Sequence, residues 1–186
     1  AHAQKCLGFD PQAGGVVPSE VNPIADRLIA QMKAEFGGDQ KRITHALRVL
    51  ERAEQILREE GGQARIVVAA ALLHDIGILA AERKHGSSAP PHQELEGPPL
   101  ARRILEEAGF DEADIEHVCA IVGSHHSGGM DTPEFRIIWD ADNLVNLAED
   151  RDHLSEHRVQ KTVESVLKTE TGRKLARRWL LSQPQT

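Results

Sequence analysis

Two adjacent residues of unlike chemistry, His74 and Asp75, close the apolar run 66–73 and are followed by Ile76 and Gly77. An imidazole and a carboxylate at the end of a buried segment need partners. An uncompensated buried charge is so costly that such groups are normally paired or bound to a metal. Histidine supplies a neutral nitrogen and aspartate an anionic oxygen, a mixture that suits Fe, Mn, Co, Ni or Zn better than Ca. Neighbouring helical residues point about 100° apart, so both grip one ion only near a helix end. Gly77 lets the backbone turn away there.

Four further segments offer co-ligands among the ten histidines and the many acidic residues. His45 sits at the edge of an apolar arc containing Ile43, Ala46, Leu47, Leu50, Ala53 and Leu57. Thr44 and Arg48 border solvent, which puts His45 where a core meets a cleft. Alone it reads as a partly buried histidine bonded to a carbonyl; the other segments give it company. His125 and His126 extend the face made by Ile115, Val118, Cys119 and Val122 at helical spacing, so at least one of them points inward. His92, between Pro91 and Gln93, has only loop context. Asp140 and Asp142 flank the arc of Ile138, Ala141, Val145 and Ala148, and spacing leaves open which of them faces the site. His2, His85, His117, His153 and His157 lack apolar context and read as solvated.

The elements that must position these residues are helices. At 186 residues the chain fits one domain, and 40% hydrophobic with 27% charged residues is ordinary for a globular protein. Aromatic residues make up 3% and tyrosine is absent, so the core must be Leu, Ile, Val and Ala, which suits packed helices. Residues 1–22, with Pro11, Gly14-Gly15 and Pro18, read as an irregular arm before a single helical domain over 23–186. The first helix spans 24–36 and stops at Gly37-Gly38. Asp39 caps a second that reaches Gly61-Gly62. A third, over 63–76, is apolar nearly all round and therefore central. Residues 77–91 read as a loop, with Gly77, Gly86, Ser87-Ser88 and Pro90-Pro91 as breakers. A helix over 97–108 takes Pro98-Pro99 in its first turn, and Asp111 caps another that reaches His125-His126. Helices over 133–147, 155–169 and 172–182 complete an all-α chain, with neither strand alternation nor internal repeat.

Composition also excludes. A net charge of -7 argues against sequence-independent nucleic-acid binding, which relies on a basic surface. No run reaches the ~18 apolar residues that a bilayer span needs, so no membrane partner is expected. The two cysteines, Cys6 and Cys119, stand in unlike contexts, and no disulfide is expected; cytoplasm is the expected compartment. Arg173, Lys174, Arg177 and Arg178, with Trp179-Leu180-Leu181, read as an amphipathic helix docked on the bundle.

The order His45, then Ala71-Leu72-Leu73-His74-Asp75-Ile76-Gly77, then His125-His126, then Ala141-Asp142-Asn143-Leu144 resembles the HD-domain metallohydrolase superfamily. The resemblance covers residues 39–150. It implies an HD-domain-like helical bundle with a metal site between central helices, and His45, His74, Asp75 and Asp142 as ligands. Members with two ions add histidines before the last Asp; His92 and His125 match that order, His126 rivals His125, and Asp75 would bridge. The implied cofactor is one or two divalent ions (Fe, Mn, Ni, Co, Zn or Mg). The implied activity is hydrolysis of a small phosphoester such as a nucleotide or cyclic nucleotide. His74 and Asp75 would serve the reacting centre, with Arg48 and Lys84 as candidates to hold the phosphate. Two other functions fit the same residues: a di-iron oxygenase like other HD-fold relatives, and a catalytically inert metal-binding regulatory module. A homodimer is compatible with either.

Overall fold

Every side chain from Ile66 to Leu73 is buried, so the helix carrying them is the axis around which the others pack. A computed structural model describes residues 21–181. The expected N-terminal arm lies outside them, apart from residues 21 and 22, which begin the first helix. In chain order the elements are α1 (Val21–Phe36), α2 (Gln40–Glu60), α3 (Ala64–Leu73), α4 (Ile78–His85), α5 (Pro90–Glu107), α6 (Glu112–Val122), α7 (Pro133–Glu149), α8 (Glu156–Ser165) and α9 (Glu170–Ala176). A 3-10 turn at Arg151–His153 and a π turn at Arg177–Leu181 complete them. No strand occurs among the described residues, as the composition implies.

α2 packs along both α3 and α7, while α3 also meets α1 and α6, and α5 pairs with α4 and α6. The stripe Ile43, His45, Ala46, Val49, Ala53 and Ile56 is the buried face of α2. Helix starts follow their caps. Asp39 accepts the N–H of Arg42, Asp111 that of Asp114, and Thr132 that of Phe135, each satisfying a donor the helix leaves unpaired.

Four expectations need correction. Residues 78–85 are not loop but α4, because Ile78, Ala80 and Ala81 bury one face of a segment rich in helix formers. Gly86, at φ 66°, ends it in the left-handed conformation that glycine adopts freely. α5 begins at Pro90, not Gly97; Pro90 and Pro91 take the first turn, and Pro98 and Pro99 lie inside the helix. α6 ends at Val122, so His125 and His126 stand in the turn beyond it. The eighth helix is shorter than expected, because residues 166–169 break away to meet the Asp140 carboxylate, and the last starts at Glu170 with its final turn, Arg177–Leu181, π rather than α.

The stretch Ala64–His85 also differs from the expectation that no run is long and apolar enough to span a bilayer. Its 22 residues pass that test by length and composition, yet 78% of its most apolar window is buried inside the bundle. It is a core element, interrupted by His74 and Asp75.

One close approach fixes how α5 crosses the end of α3. A Cβ built on Gly77 would lie 2.6 Å from the Gln93 carbonyl oxygen and 2.6 Å from the Gly97 nitrogen. The two backbones therefore touch at Gly77 and Gly97, and the first turns of α5 are held against the His74-Asp75 corner.

Candidate metal centre

His74 caps the C-terminus of α3, where the last carbonyls of a helix lack helical partners. Its Nδ1–H donates to the Ala71 carbonyl at 2.9 Å. His125, beyond α6, repeats the arrangement, with Nδ1–H donating to the Val122 carbonyl at 2.8 Å. A carbonyl can only accept, so Nδ1 carries the proton in both rings and a neutral ring keeps its lone pair on Nε2. Both Nε2 atoms are buried without a hydrogen-bond partner. A polar atom orphaned in that way calls for an ion, a water or another bound group to explain it.

Those nitrogens face carboxylates. His74 Nε2 lies 3.5 Å from Asp75 Oδ2 and 3.7 Å from Asp142 Oδ1. His125 Nε2 lies 3.4 Å from Asp75 Oδ1. His45 Nε2, from α2, is 3.0 Å from Asp142 Oδ1 and 3.8 Å from Asp75 Oδ2. The groups fall into two sets whose ligand atoms lie within 4.8 Å of one another: His45, His74 and Asp142; and Asp75, His125 and His126. Asp75 turns one oxygen to each. Nitrogen and carboxylate donors converging from α2, α3, α7 and the turn after α6 fit a divalent transition metal.

The electrostatics agree. Burial alone would raise the carboxyl pKa values of Asp75 and Asp142, but the imidazoles override it. His74 and His125 hold Asp75 below its ordinary value, and His45 and His74 hold Asp142 far below. Burial likewise opposes charge on His74, yet Asp75 and Asp142 prevail and lift it to about 9. His45 is raised for the same reason, chiefly by its bond to Asp142 acting against burial. His126 moves the other way, lowered by burial and by neighbouring His125. Without an ion the cluster collects protons; a cation performs the same neutralisation with fixed charge.

Surrounding groups hold these donors. Glu94 of α5 accepts the backbone N–H of His126 at 2.9 Å and of Ser127 at 2.7 Å, clamping the turn that carries both histidines. Asn146 Nδ2 donates to Asp142 Oδ1 at 2.9 Å. Glu149 Oε2 lies 3.5 Å from His45 Nδ1. Sequence reasoning gave none of these three a role at the site, although Asn146 and Glu149 follow Asp142 at i+4 and i+7 on one helix face.

Other residues lie elsewhere. His92 belongs to neither set; its ring stacks on His85 with centroids 4.4 Å apart, and its buried Nδ1 has no hydrogen-bond partner. Lys84 pairs with Glu96, and Arg48 with Glu149 at 3.3 Å. Asp140 turns away from the cluster: it accepts the N–H of Lys168, the N–H of Thr169 and the Thr169 hydroxyl, each at 2.7 Å. Two histidines expected to be solvated have partners, His85 with Glu96 at 2.9 Å and His117 with Thr132 at 3.0 Å.

Comparison with known proteins matches the HD-domain family model to residues 42–147. A structure described as a predicted HD superfamily hydrolase from an uncultured Thermotogales bacterium superposes with a TM-score of 0.62 at 25% identity, covering 82% of this chain and 83% of that one. An HD-superfamily hydrolase from Bacillus thuringiensis, at 20% identity and a TM-score of 0.58, shares the fold over 83% of this chain and 88% of its own. No curated protein matches the chain.

Proposed function

The chain belongs to the HD-domain family, and we propose that it is a metal-dependent phosphohydrolase acting on a small phosphoester such as a nucleotide or cyclic nucleotide. The names of both solved relatives support hydrolysis. The observation that carries the reading is the pair of buried Nε2 atoms on His74 and His125, each without a hydrogen-bond partner and each facing one oxygen of Asp75.

Bound there, one or two divalent ions would supply hydroxide near neutral pH and withdraw charge from a phosphoryl oxygen. The protein's own part is positional. Ala71 and Val122 fix two rings in the ligating tautomer, Asp75 sets the spacing between the donor sets, and Glu94 keeps the His125-His126 turn against them. Arg48 and Lys84 are the cations offered to substrate phosphate. Each now holds a surface ion pair, Arg48 with Glu149 and Lys84 with Glu96, of a kind that water and salt screen strongly.

The test begins with elemental analysis of purified protein. Stripped protein is then reloaded with Mn²⁺, Fe²⁺, Co²⁺, Ni²⁺, Zn²⁺ or Mg²⁺ and given aryl phosphates, phosphodiesters, nucleotides and cyclic nucleotides. Metal-dependent phosphate release that Asp75→Ala abolishes is the expected result. Turnover unchanged in Asp75→Ala refutes the mechanism. Oxygen uptake by iron-loaded protein without phosphate release would assign an oxygenase instead.

A further inference from the structure

His74 and His125 stand at helix ends, where free carbonyls fix their tautomers. His45 has no such resource. It lies inside α2, and the carbonyls one turn back already receive the helix's own N–H groups. A ring that presents Nε2 to an ion needs an acceptor for Nδ1–H, and with no free carbonyl one turn back a side chain or a water must supply it.

We propose that Glu149 is that acceptor, a positioning residue that holds His45 in its ligating tautomer. Its Oε2 lies 3.5 Å from His45 Nδ1, while Asp142 Oδ1 lies 3.0 Å from Nε2 on the other side of the ring. Both acids belong to α7, two turns apart on one face, so a single helix grips the imidazole at both nitrogens. The other oxygen of Glu149 accepts from Arg48 at 3.3 Å, which turns the carboxylate towards α2. Beside it opens a cavity of about 570 Å³ lined by Gln40, Lys41, Thr44, Arg48, Glu149 and Asp150. Glu149 therefore borders both that cavity and the Nδ1 of His45, while the Nε2 side is shut into the cluster. This inference rests on the metal reading of the site.

The test measures Co²⁺ affinity by equilibrium dialysis, with the visible Co²⁺ spectrum as a second readout. Glu149→Ala should weaken binding roughly ten- to a hundredfold, the usual cost of losing an outer partner of a ligating histidine. Glu149→Gln, which still accepts from Nδ1–H, should recover most of it. Acetate, small enough for the cavity, should partly restore both affinity and spectrum in Glu149→Ala. Glu149→Asp, one methylene shorter, keeps the charge but loses reach and should bind as poorly as the alanine variant. Wild-type affinity in Glu149→Ala or Glu149→Asp overturns the inference. So does a loss that neither glutamine nor acetate recovers and that follows a fall in Tm shared with Arg48→Ala, since that pattern marks a mere strut between α2 and α7. Failure of the wild-type chain to bind Co²⁺ at all would overturn the metal reading and this inference together.

Discussion

Raising the pH of the metal-free protein from neutrality towards about 9 should destabilise it, and His74 should account for most of the loss. The ring's Nδ1–H is tied to Ala71, so any added proton goes to Nε2, facing Asp75 and Asp142. Burial opposes that charge, but the two carboxylates outweigh it and lift the pKa from 6.5 to about 9. A difference of that size corresponds to about 3 kcal/mol of preference for the folded state. Because the folded value lies above the unfolded one, the stabilisation is complete below pH 6.5. It shrinks as pH rises and is gone beyond about 9. His45, also raised, adds slope of the same sign. Asp75 and Asp142, both lowered, stay ionised throughout this window and add none. In a domain of this size about 3 kcal/mol corresponds to a Tm fall of about 6–12 °C. Denaturant melts of chelator-treated protein at constant ionic strength read the effect directly. Asp75→Asn removes the nearest negative charge and should flatten the curve. A wild-type stability that is level or rising between pH 6.5 and 9, or an Asp75→Asn curve as steep as wild type, would refute the reasoning. In metal-loaded protein the ion occupies the proton's place, so the same dependence should appear as Co²⁺ affinity that climbs with pH.

Three other substitutions follow from the geometry. Gly77→Ala puts a methyl 2.6 Å from backbone atoms of Gln93 and Gly97, which yield only if α5 moves. It should cost about 1–3 kcal/mol and weaken metal binding through the displaced Glu94 clamp, and an unchanged Tm would count against the crossing. Asp140→Ala strands the Lys168 and Thr169 N–H groups and should cost about 1–3 kcal/mol while leaving metal content intact, which thermal melts and elemental analysis check. His125→Ala removes a fully buried nitrogen and should lower bound metal more than His126→Ala, whose ring is only partly buried and rests 3.4 Å from Gln93; equal metal contents would contradict that ranking.

The part of this molecule legible in the sequence is the part that violates local rules. His74 and Asp75 end an otherwise unbroken apolar segment, and a buried acid there makes sense only with distant partners. The caps at Asp39 and Asp111 are equally local and stand where expected. Local signals misled where two of them competed. Gly77, Gly86 and the prolines outvoted the helix formers of 78–85, although burial of Ile78, Ala80 and Ala81 decides the matter. Pro98-Pro99 looked like a first turn, but Pro90-Pro91 fills that role and the later pair is carried inside α5. Between Asp140 and Asp142 helical rotation could not choose, because both are buried; what separates them is tertiary. One meets the amides before α9 and the other meets His45 and His74. His92 matched the order of a ligand but stacks on His85, a neighbour that order alone does not reveal.

The location of the site follows from the same physics. An apolar bundle has few polar side chains to spare for orienting ligands, and each one buried without a partner is costly. Helix ends supply carbonyls already lacking N–H partners, so an imidazole placed one turn past them gains a fixed tautomer at no cost in polar side chains. His74 and His125 use that device, which is why α3 can stay apolar up to the residue before His74. His45 does not, and a carboxylate therefore lies beside its Nδ1. The division makes a mechanical claim: two imidazoles are set by where helices stop, and the third by how α2 lies against α7. Changes that slide α7 along α2 should disturb metal binding through His45 and Asp142 first, while Asp75 and His125 keep their geometry.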